Sequence, residues 1–109
     1  MTASELVKVC GLKEICLPSP DKEIDGIYIG DLLSWVMGNA NEKNAWITIM
    51  TNINTVAVAT LVDVGCIILA DGVAPSNDTL DAAKEKGVNI LSSDKPAYET
   101  AIKLHGVGI

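Results

Sequence analysis

The stretch Val64-Gly-Cys-Ile-Ile-Leu-Ala70, then Asp71-Gly-Val-Ala-Pro75, then Ser76 to Gly87, then Val88-Asn-Ile-Leu91, decides the fold. Val64 to Ala70 is a continuous apolar run of strand length, the pattern of a strand buried on both faces of a parallel sheet. Asp71 to Pro75 reads as a loop. Ser76 or Asn77 then caps an amphipathic helix over Thr79 to Lys86, whose Lys84 and Lys86 fall in the last turn with Gly87 just beyond. Val88 to Leu91 is again apolar and strand-like. Strand, helix, strand in so short a span is the unit of an α/β sheet.

Working outward, the alternation persists. On the N-terminal side, Ala45 to Met50 is β-branched and reads as a strand. Thr51-Asn-Ile-Asn54 is a polar turn capping a helix from Thr55 to Val62. Ile24 to Ile29 is a further strand. Gly30-Asp31 opens a helix over Leu32 to Met37, with Asp31 expected as N-cap and Leu32, Leu33, Val36 and Met37 expected to face inward. Thr2-Ala-Ser-Glu5 is a capping box for a helix from Ala3 to Val9, stopped by Gly11. Lys13 to Leu17 is a short strand closed by Pro18-Ser-Pro-Asp21. On the C-terminal side, Ser92-Ser93-Asp94 leads to Pro96 and a last helix ending at His105-Gly106. With 109 residues and no linker or repeat, residues 1–109 are expected to form one domain. The expected class is α/β, a mostly parallel sheet of about five strands with helices on both faces.

Composition excludes several function classes. Asp and Glu total 14 against 8 basic residues, all Lys, giving a net charge of −6. A phosphate-backbone partner needs clustered cations, so no nucleic acid is expected. The hydrophobic fraction is 49%, yet its longest run is too short to cross a bilayer, so no membrane association is expected. Met1 is followed by a polar helix start rather than a leader-like apolar segment, and Cys10, Cys16 and Cys66 suit small core hydrophobes in a reducing compartment. A cytoplasmic location is the expectation.

The catalytic motifs are missing. There is no phosphate-binding Gly-rich loop and no Gly-x-Ser-x-Gly elbow. His105 is the only histidine, and Cys10 and Cys16 lack a zinc spacing. No catalysis, no metal and no cofactor are therefore expected. In parallel sheets ligands bind at the carboxyl ends of strands. Those ends carry Thr51, Asn52, Asn54, Asp71, Gly72, Ser92, Ser93 and Asp94, which are read either as helix caps and turns or as a polar rim for a small ligand. If one ligand touches them all, a ribose or amide group suits the vicinity of Asp71 better than a phosphate.

Ile67 to Ser76, Leu80 to Gly87, Ile90 to Asp94 and Tyr98 to Ala101 together resemble the DRTGG domain, and Gly30 to Met37 and Trp46 to Ala59 fit its stand-alone members. That family is similar to the N-terminal domain of the HPr kinase/phosphorylase and, more distantly, to a domain of the muramyl ligases. It occurs beside CBS domains in regulated pyrophosphatases. The chain departs from the family's namesake residues: Ala70-Asp71-Gly72 stands at the Thr-Gly-Gly position, and no Arg is present. The resemblance implies a non-catalytic regulatory or oligomerisation module, a homodimer acting through a protein partner. The alternative is a sensor of a small ligand such as an adenine nucleotide. Trp35 and Trp46 are each read as a core or an interface residue.

Overall fold

The computed structural model describes residues 1–109. Five strands and five helices follow in the order α1 (Ala3–Cys10), β1 (Lys13–Cys16), β2 (Gly26–Ile29), α2 (Leu33–Asn39), β3 (Asn44–Thr48), α3 (Ile53–Val62), β4 (Cys66–Leu69), α4 (Asn77–Lys86), β5 (Ile90–Ser92) and α5 (Ala97–Gly106). The strands form one sheet in the order β1-β5-β4-β3-β2.

β2, β3, β4 and β5 are mutually parallel, as the strand–helix alternation requires. β1 is not. It pairs antiparallel with β5, Lys13 opposite Ser92, with a register shift between Glu14 and Cys16. The sheet is mixed rather than uniformly parallel. The chain between β1 and β2 contains no helix, so the layer-crossing connection of a parallel pair is not available there, and β1 lies at the far edge from β2.

Alternation along the strands divides the core in two. Ala45, Ile47, Cys66, Ile68 and Leu91 pack beneath α1 and α5 with Leu6, Cys10 and Leu104. Trp46, Ile67, Leu69 and Ile90 pack beneath α2, α3 and α4 with Val36, Val56, Ala59 and Ala83. Burial of β3 and β4 is complete on both faces, which is why Val64 to Ala70 reads as an unbroken apolar run.

The caps follow the sequence where their chemistry is local. Thr2 and Glu5 form the full capping box, and Gly11 takes the left-handed conformation after α1. Ser76 caps α4, and Gly87 ends it at φ +73°. The start of α2 differs from expectation. Its N-cap position is Leu32, without a side-chain cap, because Asp31 is engaged elsewhere: its carboxylate accepts from the Thr48 hydroxyl at 2.8 Å and the Ile49 N–H at 3.1 Å. Of the four residues expected to face inward, Val36 is buried and Leu33 half-buried, while Leu32 and Met37 are exposed. The two tryptophans part company, Trp46 being fully buried and Trp35 63% exposed.

Cys10, Cys16 and Cys66 are free and buried. Burial pushes all three thiols up, Cys66 to about 12, with Lys103 pulling Cys10 weakly the other way. A thiolate is the reactive form, so a disulfide-exchange reagent near neutral pH should label none of the three quickly in the native protein and all three after unfolding. Rapid labelling of the native protein would contradict this packing.

Candidate functional site

The carboxyl ends of β3, β4 and β5 come to one edge, and most of their polar groups bind one another. After β3, Asn52 caps α3 by accepting from the Asn54 N–H. The Thr51 carbonyl accepts from the Thr79 hydroxyl at 2.9 Å, which ties this turn to the start of α4. After β4, Asp71 and Gly72 both take positive φ, +57° and +67°. Asp71 N–H donates to the Lys95 carbonyl and Gly72 N–H to the Ser93 carbonyl, each at 2.9 Å. After β5, the Ser93 and Thr100 hydroxyls meet at 2.7 Å, and Lys95 N–H donates to Ser93 Oγ. Asp71 and Gly72 are thus joined to the Ser92–Asp94 turn through the backbone. Thr51, Asn52 and Asn54 belong to a separate cluster at the α4 side.

These eight residues do not share a cavity. Ser92, Ser93 and Asp94 line a cleft of about 290 Å³ between the end of α1, β1, the end of β5 and α5. Asn54 lines a shallow apolar groove between α2 and α3, with Leu33, Met37, Ala57, Val58 and Leu61. Thr51, Asn52, Asp71 and Gly72 line neither.

The cleft brings in residues that the sequence does not single out: Lys13, Lys95, Glu99 and Lys103. Lys13 arrives because β1 lies against β5, opposite Ser92. Lys103 arrives one helical turn after Glu99 along α5. The chain's two ion pairs are Met1 with Glu23 and Lys22 with Asp63, so none of these three lysines is within 4.0 Å of a carboxylate. Three of the eight cations in an acidic chain therefore converge on one cleft, uncompensated by a direct ion pair, beside the Ser92 and Ser93 turn. Asp94 and Glu99 line the same cleft, so its three lysines stand against two carboxylates, an excess of one positive charge in a chain of net charge −6. Only the antiparallel placement of β1 reveals this grouping.

No family model matches the chain, and no curated protein matches it. Among solved structures it is similar to the CBS and DRTGG domains of the regulatory region of Clostridium perfringens pyrophosphatase, complexed with the activator diadenosine tetraphosphate. The TM-score is 0.72 at 11% sequence identity, over 94% of this chain and 45% of that one. The chain therefore spans less than half the length of the region it matches. At that identity the likeness is one of backbone architecture, and it agrees with the arrangement derived above: the chain carries a DRTGG-like fold.

Proposed function

We propose that the chain is a non-catalytic regulatory module that works in the cytoplasm as a homodimer and acts through a protein partner. One observation carries the reading. α2 and α3 contain no charged residue in a chain that is 20% charged. A helix apolar on all sides belongs inside a protein, yet α3 leaves Ile53 and Leu61 exposed, and α2 with its N-cap leaves Leu32, Trp35 and Met37 exposed. Exposed large apolar side chains concentrated on two neighbouring uncharged helices mark contact with another protein. The shared architecture with a pyrophosphatase regulatory region supports a control role. The test is sedimentation velocity over a micromolar concentration series, with ATP and pyrophosphate turnover assayed on the same material. A concentration-dependent dimer without turnover is expected. Monomer throughout, or turnover that scales with protein through repurification, overturns the reading.

The Lys13, Lys95 and Lys103 cleft favours a second reading, a sensor of a small phosphorylated ligand. The structurally similar regulatory region is complexed with an adenine nucleotide activator, and the cleft offers cations and hydroxyls for phosphate and ribose. A chemical-shift titration with AMP and ATP is expected to move the amides of Ser92 to Lys95 and those near Lys103 first. A native-state ligand would also raise the melting temperature. Shifts confined to other surfaces at millimolar nucleotide would remove this reading.

A further inference from the structure

The two edges of the sheet are built differently. Edge strands are templates for pairing with other chains, and proteins protect them with charges, bulges or cover. β1 carries both devices, exposed Lys13 and Glu14 and the register shift before Cys16. β2, at the other edge, is Gly26-Ile-Tyr-Ile29, with no charge, no proline and an unbroken register against β3. Its partner in the sheet is β3 alone.

The outer backbone groups of β2 can be assigned. Gly30 N–H donates to the Ile47 carbonyl at 3.2 Å. Ladder groups alternate sides along a strand, so the N–H and C=O of Ile29 and Ile27 point to the open edge.

Apolar side chains flank that edge above and below. Leu33 and Met37 line the groove against α3. Trp35 lies two residues from each, about 160° around α2 at 100° per residue, and so stands on the flank away from α3, over β2. Leu32, the N-cap residue of α2, joins that helix to β2. Ile29 is two residues from Ile27, which packs on the α1–α5 face, and so shares that face. Ile29, Leu32 and Trp35 are 49%, 68% and 63% exposed.

We infer that the β2 edge pairs antiparallel with the β2 edge of a second copy, extending the sheet across a two-fold axis. The inference rests on the homodimer reading and assigns its interface. A two-fold axis relating identical strands edge to edge makes them antiparallel, so one unprotected strand is self-complementary. The contact strand itself carries no charge, so the like charges that an antiparallel pairing brings together, Asp25 of one copy and Asp31 of the other, lie at its solvent-exposed ends rather than within Gly26–Ile29. Ile29, Leu32 and Trp35 alone expose on the order of 400 Å² per copy, about half of the ~800 Å² that each partner contributes to a standard interface.

The test combines hydrogen exchange with sedimentation on the full chain. In the wild type, exchange of the Ile27 and Ile29 amides is expected to slow at least tenfold from dilute to concentrated protein, in step with the dimer fraction. Ile29→Lys is expected to weaken dimerisation at least tenfold, whereas Leu61→Ser, on the α3 side, leaves it unchanged. A dimer whose Ile27 and Ile29 amides exchange at a concentration-independent rate overturns the edge assignment while leaving the homodimer reading intact. Loss of the dimer in Leu61→Ser with retention in Ile29→Lys does the same. A wild-type monomer overturns both.

Discussion

Replacing Trp46 by alanine is expected to cost about 3–5 kcal/mol, the usual range for a large aromatic removed from a core. Stability for a domain of this kind is about 5–15 kcal/mol, so half or more could go in one substitution. The reason is position. Trp46 is fully buried in β3, the strand between β2 and β4, and packs with Val36, Val56 and Ile67 beneath α2 and α3. Its indole N–H donates to the Gly30 carbonyl at 2.9 Å, which fixes the turn between β2 and α2. Alanine leaves a void and an unpaired carbonyl together. Trp35→Ala makes the contrast: at 63% exposure it should change monomer stability by no more than about 0.5 kcal/mol while weakening self-association. Urea unfolding of both variants, at a concentration where the wild type is monomeric, gives the comparison. A loss below about 1 kcal/mol for Trp46→Ala would contradict the core described here.

That contrast also marks where sequence reading stops. Both tryptophans sit in apolar neighbourhoods, and nothing in composition separates them. The difference is the depth of the element: β3 lies inside the sheet, while α2 lies in an outer layer and leaves Trp35 63% exposed. What was legible was what local chemistry decides. The Thr2–Glu5 box, the Ser76 cap, the Gly87 stop and the apolar run through β4 each signal within a few residues, and each stands where expected.

What was not legible depends on partners distant in sequence. Asp31 looks like a cap for α2 until Thr48 and the Ile49 amide take its carboxylate. Ser92 to Asp94 read as strand-end polar residues, but their cleft neighbours Lys13 and Lys103 come from the other end of the chain and from α5. Thr51, Asn52 and Asn54 share a sheet edge with Asp71 and Gly72. Even so, their hydrogen bonds turn toward α3 and α4, away from the Ser93 turn. Strand alternation predicts that such residues reach one edge. It does not say which of them face a common space.

The loop that follows antiparallel β1 is tied to the sheet by one buried side chain, and its removal is the other large effect expected. Asn89 is 1% exposed. Its Oδ1 accepts from the Ser19 N–H at 2.9 Å, and its Nδ2 donates to the Ser19 carbonyl at 2.7 Å and the Gly65 carbonyl at 3.0 Å. One amide therefore ties the loop after β1 to the starts of β4 and β5. Asn89→Leu keeps the bulk but leaves the Ser19 N–H and the Gly65 carbonyl without this partner, at roughly 1–3 kcal/mol for each that finds no water, while the Ser19 carbonyl keeps the Lys22 N–H at 3.2 Å. A total loss of about 3 kcal/mol or more is expected, with the β1 amides losing exchange protection before those of β3. Asn89→Asp gives the same site a pH dependence. A carboxylate there would face two carbonyl oxygens in a dry setting, which raises its folded-state pKa above the ordinary aspartate value of about 3.9. A raised folded pKa makes the variant most stable below the unfolded value and progressively weaker as pH rises through the folded one. Relative to wild type, Asn89→Asp should therefore lose stability from pH 4 toward neutrality, because only the protonated acid can still donate to one of the carbonyls. Urea midpoints measured across that range test the sign; a variant that gains stability toward neutral pH would mean that the amide does not face Ser19 and Gly65 as described.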